Sequence, residues 1–434
     1  MGALMEAAVG VCIIAVGDEL LEGRTVDTNS RRIQRALGGH AVRTRLVQSV
    51  PDQPDAIAAA LDQTRAGELV FLCGGLGSTP DDLTREAVAT WAGVAVCPDD
   101  QALEYVCERF RLRGRPLPST AALQGRVPAG LKALPNPVGS APGLVGRLRE
   151  RWLAMLPGFP LEVDGLLPVV LAELDAKGVL PTARDILVRR CAQVTEMEVV
   201  RLCGPLRDAQ PDLHWSWWVT DWGVDVRVAA TDKAGGLGDL GEALDVALGP
   251  LVFNRGTQDL PLVVQERMLQ AGHTCGVAES CTAGLIGGAL TSHGGSSGFF
   301  RGGFLVYADE VKTGLLGVSP ATLAVDGAVS EPVVRAMADG CRERLGCTHA
   351  IAVSGISGPG GGSPANPVGT TWMAVSSQDA GGPTTWAHAY RFPADRERNR
   401  LLTVAAALDT LRRVQEFGAD RDPWLLPLAW PAGP

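Results

Sequence analysis

Short apolar runs that end in glycine, alternating with stretches of helical apolar spacing, most restrict how this chain can fold. Val9–Val16 is such a run, broken by Gly17, and Glu68–Cys73 is another, ending in Gly74-Gly75. Between them, Asp27–Leu37 and Pro54–Thr64 carry helical spacing, and Ala41–Val50 reads as a strand. Strand, helix, strand in this rhythm predicts a parallel sheet with helices on both faces. Ligands of such sheets bind beyond the carboxyl ends of the strands, and the glycine-rich segments fall there.

At 434 residues the chain is too long for one ordinary domain. The expected fold is α/β throughout: an N-terminal three-layer α/β domain over residues 5–172, a small α+β connector over 173–255, a C-terminal α/β domain over 257–416 and an irregular tail over 417–434. In the connector, Arg184–Cys191 and Asp225–Ala230 read as strands and Glu196–Leu206 as a helix. Its tryptophans, Trp215, Trp217, Trp218 and Trp222, imply packing or a domain contact and no chemistry. In the C-terminal region Leu262–Gln270 reads as a helix, Thr274–Glu279 as a strand, Ser280–Thr291 as a helix of small residues and Gly303–Tyr307 as a strand. Ser330 starts a further helix with Glu331 and Pro332 in its first turn. Ala350–Ser354 is a strand that feeds a glycine-rich loop.

Composition excludes several functions. The net charge is −9 and no lysine-arginine block is present, which argues against a nucleic-acid partner. The ten cysteines form no Cys-x-x-Cys pair, so zinc-site spacing is missing and buried thiols in a reducing cytoplasm are expected. The apolar stretch at Ala7–Gly17 has no basic flank and runs into Asp18-Glu19, which makes it a first strand rather than a signal peptide. No apolar run approaches the roughly 20 residues of a membrane helix. A soluble, cytoplasmic homodimer without membrane partners is expected.

Two constellations carry chemistry. The first joins Gly17-Asp18-Glu19, Asp27-Thr28-Asn29, the stretch from Gly74 through Gly75, Gly77 and Thr79 to Asp81-Asp82, and the stretch from Asn136 to Gly143. Glycines after a strand let backbone amides approach a phosphate, and Asp81 and Asp82 offer oxygen ligands to a hard cation. Each motif alone reads equally as a tight turn with an aspartate cap. The set, with Leu156-Pro157-Gly158-x-Pro160-x-Glu162, resembles the molybdopterin-binding, MoaB/Mog-like domain of the competence/damage-inducible CinA family. Ser78 and Val163 stand where that family usually has proline and often methionine. The resemblance implies a nucleotide pocket of Gly17, Asp18, Glu19, Asn29, Gly74, Gly75, Gly77, Thr79, Asn136 and Gly143, with Asp81 and Asp82 on a metal. It also implies a second activity, hydrolysis of ADP-ribose with magnesium, manganese or cobalt and with potassium.

The second constellation joins Glu279-Ser280-Cys281-Thr282-Ala283-Gly284, the stretch from Tyr307 to Lys312, Ser354-Gly355-Ile356-Ser357-Gly358-Pro359-Gly360, and Asn366-Pro367-Val368-Gly369. It resembles the CinA C-terminal domain, whose stand-alone relatives are nicotinamide-nucleotide amidases; Asn366 stands where lysine is common. Amide hydrolysis needs a nucleophile, a base that later protonates ammonia, and oxyanion donors. Ser280, at a strand-to-helix junction, is the nucleophile or a plain helix cap. None of the six histidines lies in a motif of catalytic appearance, and Lys312 is the one lysine of the region. Lysine is therefore the candidate base, and Tyr307 a proton relay or a holder of the serine hydroxyl. Thr282, Gly284, Ser354, Gly355, Ser357, Gly358 and Gly360 are expected around the substrate. Its phosphate would take loop amides or the N-terminus of the helix after Ser280. Arg396 and Arg400, four apart on a helix face, either clamp that phosphate or balance Asp395 and Glu397.

The resemblance implies conversion of nicotinamide mononucleotide and water to nicotinic acid mononucleotide and ammonia, without a cofactor. The alternative is a non-catalytic ligand-binding or scaffold protein of competence or DNA-damage response.

Overall fold

The computed structural model describes residues 9–40, 42–181, 185–230, 236–379, 381–418 and 422–424. The chain divides into two units, Met1–Arg184 and Asp185–Pro434. In the first, chain order runs β1 (Val9–Val16), α1 (Asp18–Leu21), α2 (Asn29–Ala36), β2 (Val42–Val50), α3 (Pro54–Asp62), β3 (Leu69–Cys73), α4 (Thr84–Ala92), β4 (Val96–Pro98), α5 (Asp100–Leu112), β5 (Arg126–Pro128), β6 (Leu131–Leu134), β7 (Gly143–Leu148), β8 (Arg151–Leu156) and α6 (Pro160–Ala176). Six strands form one sheet in the order β2-β1-β3-β8-β7-β6.

The apolar run of β1 is explained by burial on both faces. Cys12, Ile14 and Val16 pack with Ile57 and Leu61 of α3 and Val88 and Trp91 of α4. Val11 and Ile13 pack on the other face with Ile33 of α2 and Val163, Leu166 and Val170 of α6. This is the expected three-layer arrangement. The sheet departs from all-parallel: β1, β2, β3 and β8 are parallel, but β7 and β6 run antiparallel. The β7–β8 turn places Arg149 and Glu150 at φ 44° and 62°, a conformation usually signalled by Asn-Gly, so the residue types concealed it.

The second unit continues with β9 (Ile186–Cys191), α7 (Glu196–Ala209), β10 (His214–Thr220), β11 (Gly223–Ala229), α8 (Leu240–Leu248), β12 (Val252–Asn254), α9 (Leu260–Ala271), β13 (Cys275–Glu279), α10 (Leu285–Leu290), β14 (Phe300–Leu305), α11 (Asp309–Leu316), α12 (Pro320–Asp326), α13 (Glu331–Leu345), β15 (His349–Gly355), β16 (Thr370–Asp379), β17 (Gly382–Arg391) and α14 (Arg396–Phe417). Strands β10-β11-β9-β12 form an antiparallel sheet packed with α7 and α8. Trp215 and Trp217 stack at 6.3 Å, and Trp222 packs on the core beneath β13 and α14.

The other sheet has the order β14-β13-β15-β16-β17, with the first three strands parallel and the last two antiparallel. Helices α9, α10 and α14 cover one face and α11 and α13 the other. Of the tail, Trp424 is buried and donates its indole N–H to Tyr390 Oη at 2.6 Å; Trp430 lies outside the described residues. No described helix is long and apolar enough to cross a membrane.

Candidate active site

Register brings the second constellation together. Glu279, the last residue of β13, pairs with Leu305 on one side and Val353 on the other. The N–H of Val306 donates to Glu279 O, and that of Ser280 to Val353 O. Ser280 and Tyr307 therefore follow β13 and β14, and Ser354 lies near the end of β15, at the carboxyl ends of three adjacent parallel strands.

The segment after Ser280 is a turn rather than the expected helix. Ala283 and Gly284 adopt φ of 51° and 97°, and α10 starts only at Leu285. The reason lies one residue upstream. Glu279 is 1% exposed, and its carboxylate accepts the N–H groups of Gly284 (2.9 Å), Ile286 (3.1 Å) and Gly287 (2.8 Å). An internal anion thus occupies the helix end, so the expectation of a phosphate there fails. Glu279 stands in the motif, but as the last residue of a strand it gave no sign in the sequence of this capping role.

Lys312 lies on α11 and is 1% exposed. Its Nζ donates to Tyr307 O and to Asp309 Oδ1, each at 3.0 Å. Tyr307 meets the lysine through its carbonyl, and its ring stands 64% exposed. Its phenol makes no hydrogen bond among the described residues, which corrects the expected relay. Cys281, beside Ser280, is buried, and burial pushes its thiol up to about 11.

Helix α14 braces both loops. Arg400 donates from Nε to Cys281 O at 3.1 Å and from Nη2 to Thr282 O at 2.9 Å. Asn399, buried, donates to Ser357 O at 3.0 Å. Arg396, exposed, donates to Gly358 O at 2.9 Å. Arg400 is therefore engaged with backbone rather than held open as a phosphate clamp, and Arg396 is partly so. Asn399 lies between the two arginines, where an amide within a charged run gives no sign of such a contact. Of the other expected substrate residues, Ser354 spends its hydroxyl on Ala328 O (2.7 Å), and Gly355 packs under Thr371, whose Oγ1 would lie 2.6 Å from a Cβ. Ser357 is buried and Gly360 faces open space. Thr282 is fully buried, and its hydroxyl has no partner among the described residues.

In the N-terminal unit, a cavity of about 300 Å³ opens at the ends of β1, β3 and β8. Gly17, Glu19, Gly74, Gly75, Gly77, Asp81 and Asp82 line it, as does Glu162 of the Leu156–Glu162 stretch, and Asp52, Gln124 and Phe159 join them without having been expected from the sequence. The strand-end rule would have found Asp52, two residues past β2. At Gly74, with φ 117°, a Cβ would meet Val16 O at 2.1 Å, so only glycine fits. Asp82 accepts from Gly77 N (2.6 Å), Thr79 N (2.8 Å) and Thr79 Oγ1 (2.5 Å), so it and Thr79 brace the loop. Asn136 holds Ala141 O and Glu162, and Asn29 holds Gly158 O. Asp18 pairs by its N–H with Asp52 (3.0 Å), and Gly143 packs on Leu166 within β7. Burial, with Asp18, Glu19 and Asp81 nearby, pushes the Asp52 carboxyl up.

No group of three or more His, Cys, Asp or Glu among the described residues is disposed to hold a metal. The carboxylates still fit magnesium, which commonly uses one or two of them and completes its shell with phosphate and water.

Residues 257–415 match the family described as the CinA C-terminal domain, and residues 12–176 that described as a probable molybdopterin binding domain. A CinA-like protein of Gemmatimonas aurantiaca is 36% identical over 95% of this chain and 98% of its own. One from Anaeromyxobacter dehalogenans is 37% identical over 92% and 98%. The crystal structure of the competence damage-inducible protein A (ComA) from Klebsiella pneumoniae is 35% identical, covering 35% of this chain and 92% of that one, with a TM-score of 0.34.

Proposed function

The chain belongs to the CinA-like family, and from that premise we propose that its C-terminal domain hydrolyses the carboxamide of nicotinamide mononucleotide to nicotinic acid mononucleotide and ammonia. The observation that carries this reading is the buried Lys312 with two acceptors on its Nζ, on the segment that leaves the sheet beside Ser280. A neutral lysine amine has two N–H bonds and one lone pair. Tyr307 O and the ion-paired Asp309 carboxylate fix Nζ through two of its N–H bonds, so loss of the third proton would free the lone pair for the serine proton.

In this scheme Ser280 Oγ adds to the carboxamide carbon and its proton passes to Lys312. Collapse of the tetrahedral adduct expels ammonia, which carries that proton away. Water then cleaves the ester and regenerates the serine. The exposed guanidinium of Arg396 and the open backbone at Gly360 are left for the substrate's phosphate. The test is a coupled ammonia assay on the full chain with identification of the acid product. Stoichiometric ammonia and nicotinic acid mononucleotide support the reading. Nucleotide binding without turnover would instead favour a ligand-binding or scaffold protein.

The N-terminal cavity supports a second reading. Its carboxylates, with the Asp52 carboxyl pushed up by burial and its acidic neighbours, call for a cation, and the Gly74–Gly77 backbone leaves room for phosphate. Asp81 and Asp52 would hold magnesium, manganese or cobalt, which when bound neutralises a pyrophosphate such as that of ADP-ribose. Asp82 and Thr79 keep the loop in shape.

A further inference from the structure

We propose that Arg400 is a positioning residue that sets the peptide groups forming the oxyanion site next to Ser280, an inference that rests on the amidase reading. The turn begins with Ser280, whose carbonyl accepts the N–H of Ala283 at 3.2 Å. The next two carbonyls, of Cys281 and Thr282, both point at Arg400, which reaches them with two arms of one rigid fork. In a trans peptide the N–H lies opposite the C=O. Holding the Cys281 carbonyl therefore aims the N–H of Thr282 the other way, back toward Ser280. The N–H of Cys281 points in the same sense, because the Ser280 carbonyl is turned forward to Ala283.

Among the described residues neither of these two N–H groups has a backbone acceptor, and that of Cys281 meets only its own Sγ. Glu279 takes the amides that follow, at Gly284, Ile286 and Gly287, and leaves these two alone. The turn is thus pinned at its carbonyl side by a cation and capped downstream by an anion. Two donors remain beside the nucleophile, where a carboxamide oxygen gains negative charge on attack. Asn399, one residue before Arg400, fixes the neighbouring Ser357 carbonyl, so one helix turn sets both walls of the site.

A phosphate clamp and an oxyanion-positioning residue separate cleanly in kinetics. Arg400→Met should lower kcat by about 100-fold, the usual loss of one oxyanion donor, with KM for nicotinamide mononucleotide within about 2-fold. Arg400→Lys, which keeps a cation able to reach one carbonyl, should recover part of that loss. A raised KM with kcat kept would make Arg400 a phosphate clamp and overturn the proposal.

A second readout needs no nucleotide: the rate at which a fluorophosphonate ester labels Ser280, followed by intact mass. The folded wild type should label, and Arg400→Met should label about 100-fold more slowly while melting within a few degrees of it. Arg400→Lys, which disturbs packing least, should fall between. Labelling of the wild type without ammonia release would overturn the substrate assignment and leave this proposal standing. Equal labelling of Arg400→Met and wild type, slowing matched by loss of folded protein in both variants, or no labelling of the wild type, would each overturn the positioning role.

Discussion

Lys312 holds its Nζ 3.0 Å from the carbonyl oxygen of Tyr307, whose own ring stands 64% exposed. The contact belongs to the backbone, so the phenol is dispensable to it. Tyr307→Phe should retain activity within about 3-fold, measured as kcat for ammonia release. A loss beyond 100-fold, the scale of general acid–base catalysis, would restore the hydroxyl to the reaction.

Lys312→Arg separates charge from proton transfer. Arginine keeps a cation but cannot give up its proton at any relevant pH. Its turnover should fall to that of Lys312→Ala, at least about 100-fold below wild type, while calorimetry still detects nucleotide binding. Substantial turnover by Lys312→Arg would remove lysine from the role of base.

Much of the N-terminal fold was legible because β1 is buried on both faces and ends in glycine, so an apolar run and a break mark strand and loop together. The β7–β8 hairpin was not, since Arg149 and Glu150 reach positive φ without the residues that announce it. At the candidate site, Ser280 and Lys312 stood out by type and motif. Their supports did not. The Glu279 cap acts through buried backbone amides, and Arg400 reaches carbonyls 118 and 119 residues away in sequence. Local spacing cannot encode such contacts, and an arginine pair on a helix face reads the same with or without them.

Asp81 and Asp82, adjacent in sequence, should behave differently. Wild type is expected to cleave ADP-ribose when magnesium, manganese or cobalt is supplied with potassium. Asp81→Ala should raise the metal concentration needed for half-maximal rate by about tenfold, the scale of one lost carboxylate contact. Asp82→Ala should instead loosen the Gly77–Thr79 loop, because its three donors lose their shared acceptor, detected as faster amide exchange there. Ammonia release should be unchanged in both. Absence of any metal-dependent cleavage by wild type would end the pyrophosphatase reading.

His349 gives the C-terminal unit an acid-sensitive term. Burial, with His273 beside it, lowers its pKa from 6.5 to about 3. Folded His349 stays neutral, while the unfolded chain takes up a proton below about 6.5. Its contribution is complete above pH 6.5 and lost as pH falls from there toward 3, at up to about 1.4 kcal/mol per pH unit. Urea unfolding should therefore show about 1.4 kcal/mol less stability at pH 5.5 than at 7.5, and His349→Gln should flatten the difference. An unchanged slope in that variant would show that His349 does not carry the dependence.

The central claim is that Ser280, rather than the adjacent thiol, carries the acyl group. Burial pushes Cys281 up to about 11, so thiolate is scarce at neutral pH. The direct measurement is rapid acid quench of the full chain with nicotinamide mononucleotide, followed by peptide mass spectrometry of the segment spanning both residues. The account predicts a nicotinoyl-nucleotide ester on Ser280, kept in Cys281→Ala and lost in Ser280→Ala together with ammonia release. An adduct on Cys281, or turnover that survives Ser280→Ala, would contradict it.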